Sequence, residues 1–322
     1  MNTHQTLRFP ASALLAAALA AGPAALAADE ARPSDAASLA DAVSQMEAQR
    51  IEAEPKTQAQ EDVQPEVDER AATEAQERRE SLADEAVEAM ELTRQAMSRL
   101  SGEEPDPQGA IDAIERAVGK LEVLIARDPG LALLPVAVQV RETDLVARTQ
   151  TVERLIDAAE DALEDGRVQE ARGVLANLAS EAVVETTQLP VATYPAALRA
   201  AVPLIDAGRT DAALAQIQSA LNQLVVSEVV YPLPLLRAEA MLAAAEALAE
   251  EPGRSGASQA QLDALLEAAR EELAFGETLG YYDQAAVAPL YGMIDEIGGK
   301  TEEGGSGTGF FDRIKRSLSG LF

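Results

Sequence analysis

The chain has 322 residues, 47% of them hydrophobic, with 26 basic against 55 acidic side chains and a formal charge of −29. It has no cysteine and a single histidine, His4, so beyond that residue no thiolate or imidazole can hold a metal or drive a Ser-His or Cys-His nucleophile. A negative field of this strength also sets the chain against nucleic acid and other polyanions.

Residues 1–27 read as a cleavable secretory signal. Arg8 supplies the positive start, residues 11–21 an apolar run, and Pro23 a break. Ala25-Leu26-Ala27 is a small-x-small cleavage site that puts the mature start near Ala27/Ala28. The apolar run is about eleven residues, too short to span a membrane. Export with cleavage is expected, and the bacterial look of the leader makes the periplasm its destination. Residues 28–69 carry Pro33, Pro55 and Pro65 among twelve acids and three bases counted from residue 29. Such a segment buries too little to offset its ordering entropy and is expected to be disordered, with a short helix over 36–51 as the alternative.

Residues 70–297 are expected to form one helical domain. Ala86, Met90, Thr93, Met97 and Leu100 share one face of a long helix that ends at Ser101-Gly102, and this face is expected to dock on the core. A second helix over 109–127 carries Ile111, Ile114, Val118 and Leu121 on one side and stops at Asp128-Pro129-Gly130. Residues 155–191 and 197–233 then repeat one pattern at an offset of 42, with Gly166 matching Gly208, Val183-Val184 matching Val225-Val226, and Pro190 matching Pro232. Each copy reads helix, glycine turn, helix, then a β-branched run closed by proline, so stacked helical hairpins in an all-α fold are expected. The valine-rich runs, including alternating Val136, Val138 and Val140, are either strands of a small β element or helix C-termini; the alternation favours strands. Three further helices follow, over 235–250, from a capping box at Ser258 and Gln261 to about 279, and over 284–297.

Residues 298–309 read as a glycine-rich linker. The last segment, 310–322, is a basic amphipathic helix, with Phe310, Phe311, Ile314, Leu318, Leu321 and Phe322 within an arc of roughly 120° at the helical period. It is expected to dock on an anionic membrane or in a partner's groove; folding back onto its own core is the competing reading.

Chemical motifs are few. Gly299-Lys300-Thr301 lacks the earlier glycine of a phosphate loop, since Ile294 stands there. Asp157, Glu160, Asp161, Glu164 and Asp165 lack the alternating ligands of a calcium loop and read as a solvated face. The proline-stiffened junctions after each repeat carry Tyr194 and Tyr231, with Arg199, Arg237 and Glu239 nearby. They can line an apolar groove that takes a protein or small apolar ligand, or the tyrosines can simply pack over the core, which is the plainer reading.

The stretches GKLEVLIARDPGLALLPV, GRVQEARGVLANLASEAVVETTQLPVATYPAAL and LVVSEVVYPLPLLRAEAMLAAAEAL occur in that order. They resemble the YfdX protein family over roughly residues 109–279, leaving out the acidic segment and the final thirteen residues. The resemblance implies a mostly helical exported bacterial protein associated with acid and envelope stress, with no catalytic residues to carry over. The turn Asp165-Gly166-Arg167 with Glu170-Ala171 also resembles a tetratricopeptide hairpin, but a period of 42 departs from the roughly 34 residues of that repeat. The expectation is therefore a non-enzymatic exported binding protein without a cofactor, its partner a protein or small apolar ligand. Self-association is left open. A helical scaffold held at a membrane or partner by 310–322 is the alternative.

Overall fold

The computed structural model describes residues 55–302, 305–306, 309 and 311–321. The secretory signal, the helix expected over 36–51, most of the acidic segment, Phe310 and Phe322 lie outside the described residues.

The chain enters through α1 (Gln58–Glu80), which corrects the expectation for the end of the acidic segment: residues 58–69 are helical rather than disordered. Thr57 and Gln60 form a reciprocal capping box, and Val63, Val67, Ala71 and Ala75 bury a narrow stripe four residues apart. Composition averages that stripe away among acids and glutamines. The expected long helix is divided, because α1 stops at Ser81, whose hydroxyl donates to the Arg78 carbonyl, and α2 (Asp84–Ser101) begins anew. α2 pairs with α3 (Pro107–Arg127), and Asp106 caps α3 by accepting the Gly109 N–H at 2.9 Å.

The valine-rich runs are strands. β1 (Leu133–Thr143), β2 (Glu181–Pro190) and β3 (Val225–Pro232) make an antiparallel sheet in the order β1-β2-β3. Val140 lies opposite Val184, which lies opposite Val229; β1 carries a bulge between Pro135 and Ala137.

Between the strands run the two repeat copies. The first is α4 (Thr149–Glu164) and α5 (Val168–Leu175), the second α6 (Tyr194–Arg199), α7 (Val202–Asp206) and α8 (Thr210–Leu221). Both turns rest on a glycine at positive φ, 76° at Gly166 and 69° at Gly208, where a Cβ is strained. Pro203, which has Asp161 as its counterpart, divides the first helix of the second copy. The copies meet through the antiparallel pairing of β2 with β3, while their helices choose different neighbours: α4 lies against α10 (Gly256–Thr278), whereas α6–α8 pack on α2 and α3.

The sheet therefore stands between two helical cores. Leu134, Val136, Leu189 and Val191 join the first, made with α2, α3 and α6–α8. Ala182, Val184 and Tyr231 join the second, made with α1, α9 (Leu233–Glu250), α10, α11 (Gln284–Thr301) and α12 (Asp312–Leu318). Two local expectations are corrected. The cap of α10 is Ser255, which accepts the Ser258 N–H at 3.1 Å, and α11 runs on to Thr301. Arg254 ties this region down: it donates to the Leu248 and Ala249 carbonyls at 3.1 Å and to those of Thr301 and Gly305 at 3.0 and 2.8 Å.

The C-terminal segment folds back. Phe311, Ile314 and Leu318 are buried in the second core and Leu321 packs against it, so these residues do not present the docking face expected of them. Burying large apolar side chains contributes roughly 1.5–3 kcal/mol each. The basic residues find acids of their own chain, Lys315 pairing with Glu246 at 2.7 Å and Arg313 with Glu296.

Candidate functional site: a buried ionic cluster under the first helix

The five junction residues do not line one groove. Tyr194 is buried in the first core, where its hydroxyl donates to Thr93 Oγ1 at 3.1 Å and burial pushes its pKa up. Arg199 lies on the surface, paired with Glu122. Tyr231, Arg237 and Glu239 belong to the second core side. The Tyr231 hydroxyl donates to Glu74 Oε2 at 2.8 Å and accepts from Arg78 at 3.2 Å, both on α1. Glu239 is half-buried, and burial raises its pKa against the pull of Arg70.

Arg237 marks what the structure does bring together. It sits in the first turns of α9, where Pro234 holds the helix start, and its side chain is 0% exposed. Its Nη2 donates to Asp144 Oδ2 at 2.7 Å, just past the end of β1. Lys56, at the entrance to α1, reaches the same oxygen at 2.8 Å and donates to Gln64 at 2.7 Å. One turn away Gln60 donates to Glu272 Oε1 on α10 at 2.5 Å. Gln64, one turn further along α1, accepts from Arg237 Nη2 at 3.4 Å, so Gln60 and Gln64 reach α10 and α9 from one side of α1.

The electrostatics divide the carboxylates. Glu272 is 5% exposed, and burial pushes its pKa up to about 7; Arg237 and the Gln60 hydrogen bond pull it down, Asp144 and Glu271 push it further up. Burial also raises Asp144, but hydrogen bonds and charge from Arg237 and Lys56 outweigh it and hold that carboxyl below its ordinary value. Glu142 is raised by burial and by Asp68 and Asp144. Arg237 Nε and Nη1, Glu272 Oε2 and the Tyr282 hydroxyl are buried without a hydrogen-bond partner among the described residues. The cluster thus holds an ion pair that stays charged and, beside it, a carboxyl that changes charge near neutrality.

Periodicity and motif reading reach Arg237 but not its partners. Lys56, Gln60 and Gln64 fall in the stretch expected to be disordered, and a lone Asp144 and Glu272 carry no motif. The Thr57-x-x-Gln60 capping box is the available signal. Among the described residues no group of three or more His, Cys, Asp or Glu is placed to hold a metal ion, and no helix is long and apolar enough to cross a membrane.

The model of the YfdX protein family matches residues 89–230. A solved structure of Salmonella Typhi YfdX is similar at 14% identity and a TM-score of 0.32, covering 47% of this chain and 93% of that one. No curated protein matches the chain. The family match begins within α2 and stops inside β3, so it takes in Asp144 and Glu142 but not Lys56, Gln60, Arg237 or Glu272. The family model thus matches the chain over residues 89–230, where the sequence resemblance runs over roughly 109–279.

Proposed function

We propose that this chain is an exported, periplasmic protein of acid or envelope stress that works by binding other proteins and performs no catalysis. The observation that carries this reading is Glu272, a carboxyl sealed between α1, α9 and α10 with a pKa of about 7. Its sign favours acid. The folded chain binds this proton more tightly than the unfolded chain, whose glutamate titrates near ~4.3. Its contribution to stability is therefore full below about pH 4 and falls as pH rises through 7. Asp144 works oppositely, but its pKa is lowered, so its contribution survives until pH falls below the ordinary aspartate range of ~4. Between these limits the cluster tightens as the medium acidifies.

Charge supports the same reading. With a sequence pI of about 4.3, the chain stays anionic in mild acid, where proteins of higher pI are cationic and are drawn to it. A small apolar ligand is the weaker option, because the five junction residues do not converge. Tethering through 310–322 is weaker too, because Phe311, Ile314 and Leu318 are occupied by the chain's own core.

The test is light scattering from an acid-unfolded enzyme of higher pI, with and without this protein, at about pH 5.5, well above its own pI, and at about pH 7.5. Suppression at the lower pH that weakens at the higher is expected. Identical scattering with and without the protein at both values rejects the binding role.

A further inference from the structure

The two repeat copies share apolar positions but not their cover. In the second copy Ile205 and Ile217 are 4% and 0% exposed, packed in the first core with α2 and α3. Their counterparts in the first copy, Leu163 and Leu175, are 49% and 47% exposed, and Val168 is 54% exposed. Spacing puts these side chains on the apolar side of their helices. Val152, Ile156, Ala159 and Leu163 follow a 4-3-4 rhythm along α4, and Val168 and Leu175 stand seven apart on α5, either side of buried Ala171. The start of the α4 stripe is covered, since Val152 and Ile156 pack with Phe275 and Leu279 at the end of α10. Ala159, Ala162, Ala171 and Val174 close the hairpin on itself as a small cluster separate from both main cores. Leu163, Val168 and Leu175 are left in solvent.

We propose that this side of the α4–α5 hairpin is a docking face for an amphipathic helix with a basic flank, carried by a partner protein. The proposal rests on the binding role above and gives that role its surface. The repeat argues for a helix, because the sister hairpin shows what covers these positions: α2 and α3 pack there with their own apolar faces. Charge argues for a basic flank. Residues 149–175 carry seven acids against three bases, and Arg167 is already engaged by Asp165 at 2.9 Å and Glu170 at 2.6 Å. Glu160 and Glu164 lie one turn before Leu163 and directly after it, both exposed. Arg172 stands between Val168 and Leu175, so the partner's basic flank lies over α4 rather than α5. A second copy of this chain, with its charge of −29, and an anionic bilayer both bring like charge to these acids.

The experiment uses the full chain and a defined probe, a fluorescent synthetic helix of leucine and lysine about 18 residues long with its leucines on one side. A scrambled peptide of the same composition is the comparison. Both carry the same charge, so electrostatics alone binds them equally, and the ordered peptide should bind about tenfold or more tightly. L163S/V168S/L175S should erase that preference. V123S, which alters a valine 48% exposed on α3, should keep it. All four sites are exposed, so circular dichroism should match the wild type. A photoreactive leucine in the probe should label residues 149–178 of the unaltered chain, which tests the face without any substitution.

Equal affinity of the two peptides, a preference that survives the triple substitution, or labelling elsewhere overturns the proposal. So does a wild-type oligomer that the triple substitution splits in sedimentation, since the face then belongs to a second copy. Light scattering separates this proposal from the binding role. A triple variant that still suppresses aggregation removes the face and leaves the role; a wild type that prefers the ordered peptide but suppresses nothing keeps the face and rejects the role.

Discussion

The first core packs Leu121, Leu189, Leu198 and Ile217 around a Tyr194–Thr93 hydrogen bond, with nothing charged among its described buried residues. The second encloses Arg237 and Glu272, and α1 covers them with Lys56, Gln60 and Gln64. The first gains from apolar burial, which pH does not touch. The second adds ion pairs and a titrating carboxyl, whose balance between desolvation and attraction moves with every charge nearby. The first lies mostly within the family segment; the second draws its charged groups from both sides of it. The buried charged groups thus gather in the second core, while the first is held by apolar contacts and a neutral hydrogen bond.

The strongest way to break that contrast is to remove the central cation. Arg237→Ala leaves Asp144 with Lys56 alone, and breaking a buried ion pair costs about 3–5 kcal/mol. Urea unfolding at pH 7 should show this loss, and hydrogen exchange should show α1 opening before the first core does. If α1 stays as protected as in the wild type, the cluster does not hold it. Leu121→Ala is the counterpart in the first core and should cost roughly 2–5 kcal/mol by leaving a cavity. Its cost should be the same at pH 5 and pH 8, whereas that of Arg237→Ala should not.

Glu272→Gln sharpens the contrast directly. The amide still accepts from Gln60, but it carries no charge to desolvate. At pH 8 the variant should be more stable than the wild type by about 1–3 kcal/mol, because a carboxyl held at about 7 in the fold titrates near ~4.3 once the chain unfolds. That advantage should shrink as pH falls and be smallest near pH 4, where the carboxyl is neutral in the fold and largely protonated in the unfolded chain as well. A wild type whose stability does not fall between pH 5 and pH 8 contradicts the assignment.

These differences also explain what is legible in the sequence. The first core follows from periodicity: Met90, Thr93 and Leu100, then Ile114, Val118 and Leu121, face one another as spaced. Alternating Val136, Val138 and Val140 announce β1, and Gly166 and Gly208 announce their turns. The cluster is hidden because its groups are far apart in the chain, Gln60 from Glu272 by 212 residues and Arg237 from Asp144 by 93. No local pattern encodes such a pairing. The C-terminal helix is legible as an amphipathic object but not as to its partner, since an apolar face with basic flanks suits a membrane as well as a core whose rim carries Glu246 and Glu296.

The smallest expected effect lies in the first core. Tyr194→Phe removes one buried hydroxyl and its bond to Thr93, worth about 0.5–1.5 kcal/mol. The loss should fall at the low end, because the Thr93 hydroxyl keeps its own acceptor, the Ala89 carbonyl at 2.8 Å. Burial raises the tyrosine's pKa, so it stays neutral at pH 5 and pH 8 alike, and the cost should be equal at both. Urea midpoints at the two pH values check this. A cost that grows with pH means that the charge of the second core reaches across the sheet, and the two halves then cannot be treated as electrostatically separate.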